Sequence, residues 1–481
     1  MKSLKIHNFK LERSKSINNL KDDLLSFINN YSQNLLMKNF FSNFSKILDL
    51  EEIALKNEFN SILFREFKNK KGKFSKKLKF YYLIFSTIKF ICIIIYIYIF
   101  SKKIKFFKKK DLIIDDNDNS PPEYFFKLYD LMDAIFVSNK KIKDKETFIF
   151  KDYRNCINFS QIKLGPLSIL KILFYSLKYS FKSGDNLVFI SLEIFKMFIR
   201  SHTIFYQLRS KFLIQIRHYN TSAIKNSIFK KYGGLKSTVI QKNILQLNGP
   251  GMFINADVIF SIGSGTCENT IQLGCNIGEI IPVGSILKEF SYYLNKNSLN
   301  ETSYDLIVFA SSHTADFHSG NDNYYRNYYE HFEWIRKLAL KNPLIKIGIK
   351  HKNFTDDLRE LKILKDIKNI KYIFHDHNII SNSYSIGYRA KSLCTWSSTL
   401  GIEMIGHGKI CYFLLPNNEN NGFIQIKNLD KYIVSSYESF ENKILNEISN
   451  YDKKKDIHNA DNYCIKSDSV SNNISKFFNA I

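Results

Sequence analysis

Short apolar runs alternate with amphipathic stretches through most of the chain. Asp133–Ser138 (DAIFVS) and Asn186–Ile190 (NLVFI) have the length and composition of strands. Phe212–Ile216 is another, followed by a helical pattern near Ser222–Tyr232, the pair Gly233-Gly234, and Ser237–Ile240. Strand, helix, glycine turn and strand in this order predict one βαβ unit. A second begins at Ala256: ADVIFSIG as strand, GTCENTIQLGC as helix, then IGEIIPVGS as strand and turn.

The alternation continues in the second half. Asp305–Ala310 (DLIVFA) predicts a strand, followed by the polar loop SSHTADFHSGND and a helix near Tyr324–Ala339. Ile345–Lys350, Lys371–Phe374 and Ser392–Thr395 are further strands. The last leads into TWSSTLGIEMIGHGKICYFLLP, residues 395–416, which reads as a loop, a short helix, a glycine break and a buried strand. Two successive α/β halves joined near residue 300 predict two Rossmann-like domains with a cleft between them.

Outside these halves the pattern changes. Residues 1–114 read as a helical N-terminal region, with amphipathic periodicity over residues 1–78 and nothing there that carries chemistry. Within it, Phe80–Phe100 (FYYLIFSTIKFICIIIYIYIF) holds one charge, Lys89, with lysines crowding both shoulders. A helix of that length, at about 1.5 Å per residue, reaches across a hydrocarbon core of roughly 30 Å. The symmetric basic flanks suit equally a helix lying in the interface on anionic headgroups. A buried core element is the soluble alternative, but a soluble core element rarely needs basic clusters on both shoulders, so 80–100 is read as a membrane-associating segment. The acidic, proline-bearing stretch 115–124 (DDNDNSPPEY) predicts a linker, placing the first Rossmann-like domain at 125–300, the second at 301–452 and a polar tail at 453–481.

Composition alters this picture little. The formal charge is +25, from 70 Lys and Arg against 45 Asp and Glu. Lys, Asn, Ile, Phe and Tyr are abundant together, so the charge reads as diffuse solvated surface, and no nucleic-acid module is present. Seven cysteines, at 92, 156, 267, 275, 394, 411 and 464, have no zinc-ribbon spacing and read as free thiols in a reducing cytosol. The N-terminal MKSLKIHNFKLERSK lacks the apolar core of a signal peptide.

Candidate chemistry gathers where predicted strands end, because ligands of open α/β sheets bind there. Ser397, Ser398 and Thr399 open a helix, where free N–H groups and hydroxyls suit an anion. Glu403, one turn on, could accept hydrogen bonds from a sugar or ribose diol. Ser311, Ser312 and His313 follow DLIVFA, and Lys350 and His351 follow IKIGI. Cations and hydroxyls so placed would neutralise a departing diphosphate. Among groups of the first half that could accept a proton, His218, in Arg217-His218-Tyr219 after FLIQI, is the candidate general base; a surface histidine is the alternative. His313 with His318, and His375 with His377, have ligand-like spacing but no matching carboxylate pair, so no metal is expected, and no cofactor. Gly249-Pro250-Gly251 and Gly263-Ser264-Gly265 match neither a P-loop nor a dinucleotide fingerprint.

The pattern S-S-T-x-G-x-E-x(4)-G-K followed by a hydrophobic strand resembles the donor-binding turn of two-domain GT-B glycosyltransferases of bacterial surface polysaccharide, capsule and lipopolysaccharide synthesis. The AD-strand-G-helix-G-x(4)-I-x-VGS region, ending at Val283-Gly284-Ser285, resembles the close of their first domain. Lys350-His351 resembles their K-x-H or K-H-P strand end, with Lys352 where proline is usual. The resemblance covers roughly residues 212–416. It implies a nucleotide-sugar donor, a glycan or lipid-linked acceptor at the inner face of the cell membrane, and a final helix that crosses back to the first domain. Sugar-nucleotide epimerases and polyol-phosphate transferases share related turns and give alternative reactions; a non-catalytic membrane-tethered scaffold is a third reading.

Overall fold

The computed structural model describes residues 26–68, 80–101, 106–115, 121–150, 156–215, 221–244, 253–267, 276–289, 303–310, 322–351, 359–373, 382–396, 398–416, 426, 428–451, 460–466 and 469–481. Two parallel sheets dominate it. The first has seven strands in the order β3-β2-β1-β4-β5-β6-β7: β1 (Leu112–Asp115), β2 (Ala134–Ser138), β3 (Thr147–Ile149), β4 (Phe212–Gln215), β5 (Lys236–Ile240), β6 (Asn255–Ser261) and β7 (Asn276–Pro282). The second has six, in the order β10-β9-β8-β11-β12-β13: β8 (Tyr304–Phe309), β9 (Ile347–Lys350), β10 (Ile370–Ile373), β11 (Ala390–Thr395), β12 (Cys411–Leu414) and β13 (Ile433–Val434). In each sheet the chain starts in the middle, builds outward one way, then returns to build the other. This is the doubly wound order, with a crevice at the carboxyl ends of the two strands where direction reverses. Those are β1 and β4 in the first sheet, β8 and β11 in the second.

The expected two-domain α/β architecture is therefore present, preceded by helices. Three boundaries differ from the sequence reading. Asn186–Ile190 is not a strand but the start of a long helix, because the apolar positions continue at helical spacing to Leu208 and the Asn186 side chain accepts from the Phe189 N–H. The first domain does not begin after residue 124: Leu112–Asp115 is its central strand, paired on both sides with β2 and β4. Four residues are too few to show a strand pattern beside an acidic run. The tail beyond residue 453 is not a separate polar appendage, as shown below.

Helices cover both faces. The described helices of the N-terminal region are residues 26–33, α1 (Leu35–Leu48), α2 (Glu52–Lys68) and α3 (Phe80–Phe100). They share one apolar core with the first sheet and with α5 (Pro166–Ser183) and α6 (Leu187–Leu208). On that face α7 (Ala223–Lys231) packs beside α6. The opposite face is covered by α4 (Phe126–Leu131) and, from the far end of the chain, by a helix at Val470–Asn479. Phe478 of this last helix stacks on Phe212 and meets Phe260 edge-on. The expected return of the final helix to the first domain is thus observed.

The second domain has its own core around α8 (Asp322–Lys341), α9 (Arg359–Ile363), α10 (Asn382–Tyr388), α11 (Thr399–Gly406) and α12 (Tyr437–Ser449). The return segment includes α13 (Ala460–Tyr463) and ends in α14, the helix at Val470–Asn479. The Ser264 and Gly265 N–H groups donate to its Asp461 and Asn462 carbonyls, and the Ile465 N–H donates to the Ile262 carbonyl just ahead of the Gly263–Gly265 turn. A Cβ on Gly263 would lie 2.5 Å from the Tyr463 backbone, which explains the glycine there: a second chain passes over it. Six cysteines among the described residues are free thiols, all but Cys92 buried.

Candidate functional site

The segments that follow the carboxyl ends of β5 and β11 touch. Beyond β5, the Ile244 N–H of the first domain donates to Thr399 Oγ1 at the start of α11, at 3.1 Å. Across the second sheet, Lys350, Phe309 and Thr395 lie in register on β9, β8 and β11. Neighbouring strands are about 4.8 Å apart, so Lys350 and Thr395 stand roughly 10 Å apart on the same edge, with the crevice between. Lys350–His351 and Ser398–Thr399, expected to belong together, do share this edge.

Ser398 is the N-cap residue of α11, in extended conformation, and its hydroxyl makes no capping bond. Gly401 serves packing rather than a ligand. A Cβ there would come within 2.9 Å of Cys411 Sγ and 3.0 Å of the Phe413 ring, so glycine lets α11 settle on the sheet. Ser397, Ser311, Ser312, His313, His318, His375, His377 and the candidate base His218 lie outside the described residues.

Three groups take forms the sequence did not suggest. His351 was expected to act as a cation, but it is buried. Burial, with the neighbouring Lys350 ammonium, lowers its pKa to about 4, so it is neutral at physiological pH. Its Nδ1 lies 3.8 Å from Glu360 Oε1, and the Glu360 carboxyl is itself raised by burial. Lys350 is buried as well; desolvation brings its pKa down to about 8, and its Nζ donates to the His351 carbonyl at 2.8 Å. Glu403, expected to accept hydrogen bonds from a sugar or ribose diol, is only 2% exposed.

Glu403 sits in a buried polar cluster that joins both domains and the return segment. Tyr384 of α10 donates to its Oε2 at 2.8 Å, while Oε1 has no hydrogen-bond partner among the described residues. Burial raises the carboxyl to about 7, against the opposing pull of Ser285, Tyr384 and Lys288. Ser285 and Lys288 belong to the segment leaving β7; Ser285 Oγ accepts the Lys288 N–H at 3.2 Å. Lys288 Nζ lies 2.7 Å from His407 Nδ1, and His407 Nε2 lies 3.6 Å from Cys464 Sγ. Burial, then Lys288 and Lys466, lower His407 to about 3, so its ring is neutral and Nδ1 accepts from the ammonium. Of this cluster only Glu403 and Ser285 carried a sequence signal. Tyr384, Lys288, His407 and Cys464 come from separate segments and meet only through the fold.

In the first sheet, the switch point holds Asp115, assigned by the sequence reading to a linker. It is buried at the end of β1 and ion-paired with Lys225 of α7, with Arg200 Nη2 at 3.6 Å. Burial acts to raise the Asp115 carboxyl, but the two cations outweigh it and hold the pKa below the usual value. Glu58 of α2 accepts from Ser222, the N-cap of α7. The N-terminal helices are therefore fastened directly beside this switch point. Among the described residues no cluster of His, Cys, Asp and Glu has the geometry to hold a metal ion.

No protein-family model matches the chain, and no curated protein matches it by sequence. Its fold is similar to solved structures. The UDP-GlcNAc 2-epimerase from Neisseria meningitidis bound to UDP-GlcNAc has a TM-score of 0.47 at 12% identity, covering 78% of this chain and 100% of that one. The UDP-GlcNAc 2-epimerase from Methanocaldococcus jannaschii gives 0.46 at 12% identity, with 78% and 100% covered. Acinetobacter baumannii MurG gives 0.41 at 10% identity, with 77% and 100% covered. At these values the likeness is one of overall fold and assigns no reaction.

Proposed function

We propose that this chain is an enzyme that binds a nucleoside-diphosphate sugar in the crevice between its two sheets and acts on it there. The observation that carries the reading is Glu403: a carboxyl at the junction of both domains, with Ser285 beside it, one oxygen held by Tyr384 and the other buried with no partner of hydrogen-bond geometry among the described residues. An unsatisfied buried acceptor is expensive to maintain unless something else supplies a donor. A sugar or ribose hydroxyl is such a donor. The α11 N-terminus, with the spare Ser398 hydroxyl, and the Lys350 ammonium two strands away suit the pyrophosphate.

Two reactions fit. In glycosyl transfer to a surface polysaccharide or lipid-linked glycan, the second sheet holds the donor and the first supplies the acceptor base, for which His218 is the candidate. Epimerisation of the same donor fits at least as well, since it requires no acceptor site. The chemistry legible among the described residues is all of the donor half, and a carboxyl that titrates near 7 is matched to moving a proton at neutral pH.

The test is a thermal-shift and calorimetric series with UDP-, CDP- and GDP-sugars on the full chain and on Glu403→Gln. One donor class should bind, and the variant should bind it about tenfold to a hundredfold more weakly, the value of a charge-assisted hydrogen bond. Incubating the bound donor in deuterated water without acceptor then separates the reactions. Deuterium entering the sugar marks epimerisation by proton exchange; an unlabelled donor that turns over only with a glycan acceptor marks transfer. No binding by any donor would overturn the reading.

A further inference from the structure

By length and composition, helix α3 is long and apolar enough to cross a membrane over Tyr81–Phe100. It is nevertheless part of the first domain. Leu83, Phe90 and Ile97, spaced by two turns, are fully covered. Phe90 packs against Phe195 of α6, with ring centroids 5.1 Å apart. The Asn186 amide, at the start of α6, donates to Ser86 Oγ and the Tyr82 carbonyl of α3. To span a bilayer, α3 would have to leave this face, uncovering Phe195 and stranding the buried Asn186 amide.

The opposite side of α3 is bare: Ile84, Phe85, Ile88, Ile95, Tyr98 and Ile99 are 41–72% exposed. A second helix does the same. On α5, Leu167, Leu170, Phe174 and Phe181, at intervals of three, four and seven, are 60–66% exposed, while Ile169, Ile172, Ser176 and Tyr179 face the core. Both helices pack on α6. Phe195 of α6 touches Phe90 of α3 and also Phe159, just ahead of α5. A soluble surface seldom carries two such stripes side by side on one helix.

Charge says what covers them. Neither α3 nor α5 contains a single Asp or Glu, and their exposed polar residues include Lys89, Lys171, Lys178 and Lys182. Just past α3, Phe106 and Phe107 are exposed beside Lys108 and Lys109. A second copy seated here would oppose lysines to lysines. A layer of anionic headgroups over acyl chains meets both the apolar stripes and their cations.

We infer that the outward faces of α3 and α5 together form a docking surface for an anionic phospholipid leaflet, with α3 lying flat in the headgroup boundary and not crossing it. The two helices act as one interfacial anchor, and the crevice between the sheets stays in the aqueous phase. This inference is independent of the reaction at the crevice.

The test is sedimentation of the full chain with vesicles of phosphatidylcholine and phosphatidylglycerol, and with phosphatidylcholine alone. The protein should sediment with the anionic vesicles, less so at high salt, and alkaline carbonate should release it. The double variant Phe174→Glu, Phe181→Glu lies on bare positions of α5, and circular dichroism melting should show it folded. Its partitioning should fall by about tenfold or more, since two apolar side chains are replaced by charges repelled by the headgroups. Unchanged partitioning would remove α5 from the surface. Retention through carbonate would show α3 spanning instead. Failure to sediment, with a dimer in solution that the double variant dissolves, would show a second copy covering the face. Any of the three overturns the proposal.

Discussion

Lys288 Nζ lies 2.7 Å from His407 Nδ1, tying the segment that leaves the first sheet to the turn that ends α11 in the second domain. Lys288 is buried and His407 half-buried, so the contact acts as a pin between the domains rather than a fully solvated surface interaction. Truncating one partner removes this contact from the other inside a largely desolvated cluster. Lys288→Met should lower unfolding stability by roughly 1–3 kcal/mol, and His407→Leu by a similar amount. The double variant should lose less than the sum. A double-mutant cycle by chemical denaturation measures the coupling, and strict additivity would show that the contact carries none.

Two buried histidines, His202 and His351, and the half-buried His407 make the fold acid-sensitive. Burial, the leading cause in each case, lowers His407 and His202 to about 3 and His351 to about 4, from the usual 6.5. Above 6.5 all three are neutral in both states. As pH falls below that value, the unfolded chain takes up protons that the folded chain refuses. Stability is therefore present above about 6.5 and declines toward pH 4, with each group contributing up to about 1.4 kcal/mol per pH unit. Denaturation midpoints of the full chain between pH 7.5 and 4.5 should show the fall, and His202→Gln should shallow it.

Glu403 works in the opposite direction. Its folded pKa, about 7, lies above the usual 4.5, so the folded chain holds a proton that the unfolded chain releases. Its stabilising contribution is complete below about 4.5 and is lost as pH rises through 7. Glu403→Gln keeps an acceptor for Tyr384 and removes the charge, so it should raise stability at pH 8.5 by about 1–3 kcal/mol and change it little at pH 5. The same variant is expected to weaken donor binding, and that pairing of a more stable protein with a poorer site is typical of functional positions. A variant less stable at both pH values would show the carboxylate to be structural.

The return segment depends on close backbone approach. A Cβ on Gly406 would lie 2.4 Å from Cys464 Cβ and 2.5 Å from its carbonyl oxygen, and one on Gly263 would strike the Tyr463 backbone. Either Gly→Ala change should displace the segment, making the region after residue 452 the first cleaved in limited proteolysis. Phe478→Ala should cost roughly 3–5 kcal/mol, because Phe478 is 2% exposed between Phe212 and Phe260. Unchanged protease sensitivity in Gly263→Ala would show that the turn accommodates the extra atom.

Much of this protein was legible in one dimension. Apolar runs such as Leu306–Phe309 and Cys411–Leu414 sit inside sheets with both faces covered, so they are continuous rather than alternating and can be read from sequence. The Ser398–Thr399 turn and the Lys350–His351 strand end could be located along the chain because strand ends leave local marks. What sequence obscured were elements whose identity depends on their neighbours. Leu112–Asp115 is too short to show a period, and only its pairing on both sides makes it central. Asn186–Ile190 has strand composition, but the helix it begins buries nearly its whole circumference.

Local composition and spacing thus determined most of the elements, the two α/β halves and the sheet edge that carries Lys350 and Thr399, because these follow from which residues can be buried along a strand or helix. The tertiary structure alone decided that Glu403 is enclosed, that Lys288, His407 and Cys464 meet beside it, and that α3 is held flat against α6. Those outcomes depend on residues a hundred or more positions apart being brought together, and proximity of that kind leaves no periodic trace in the chain.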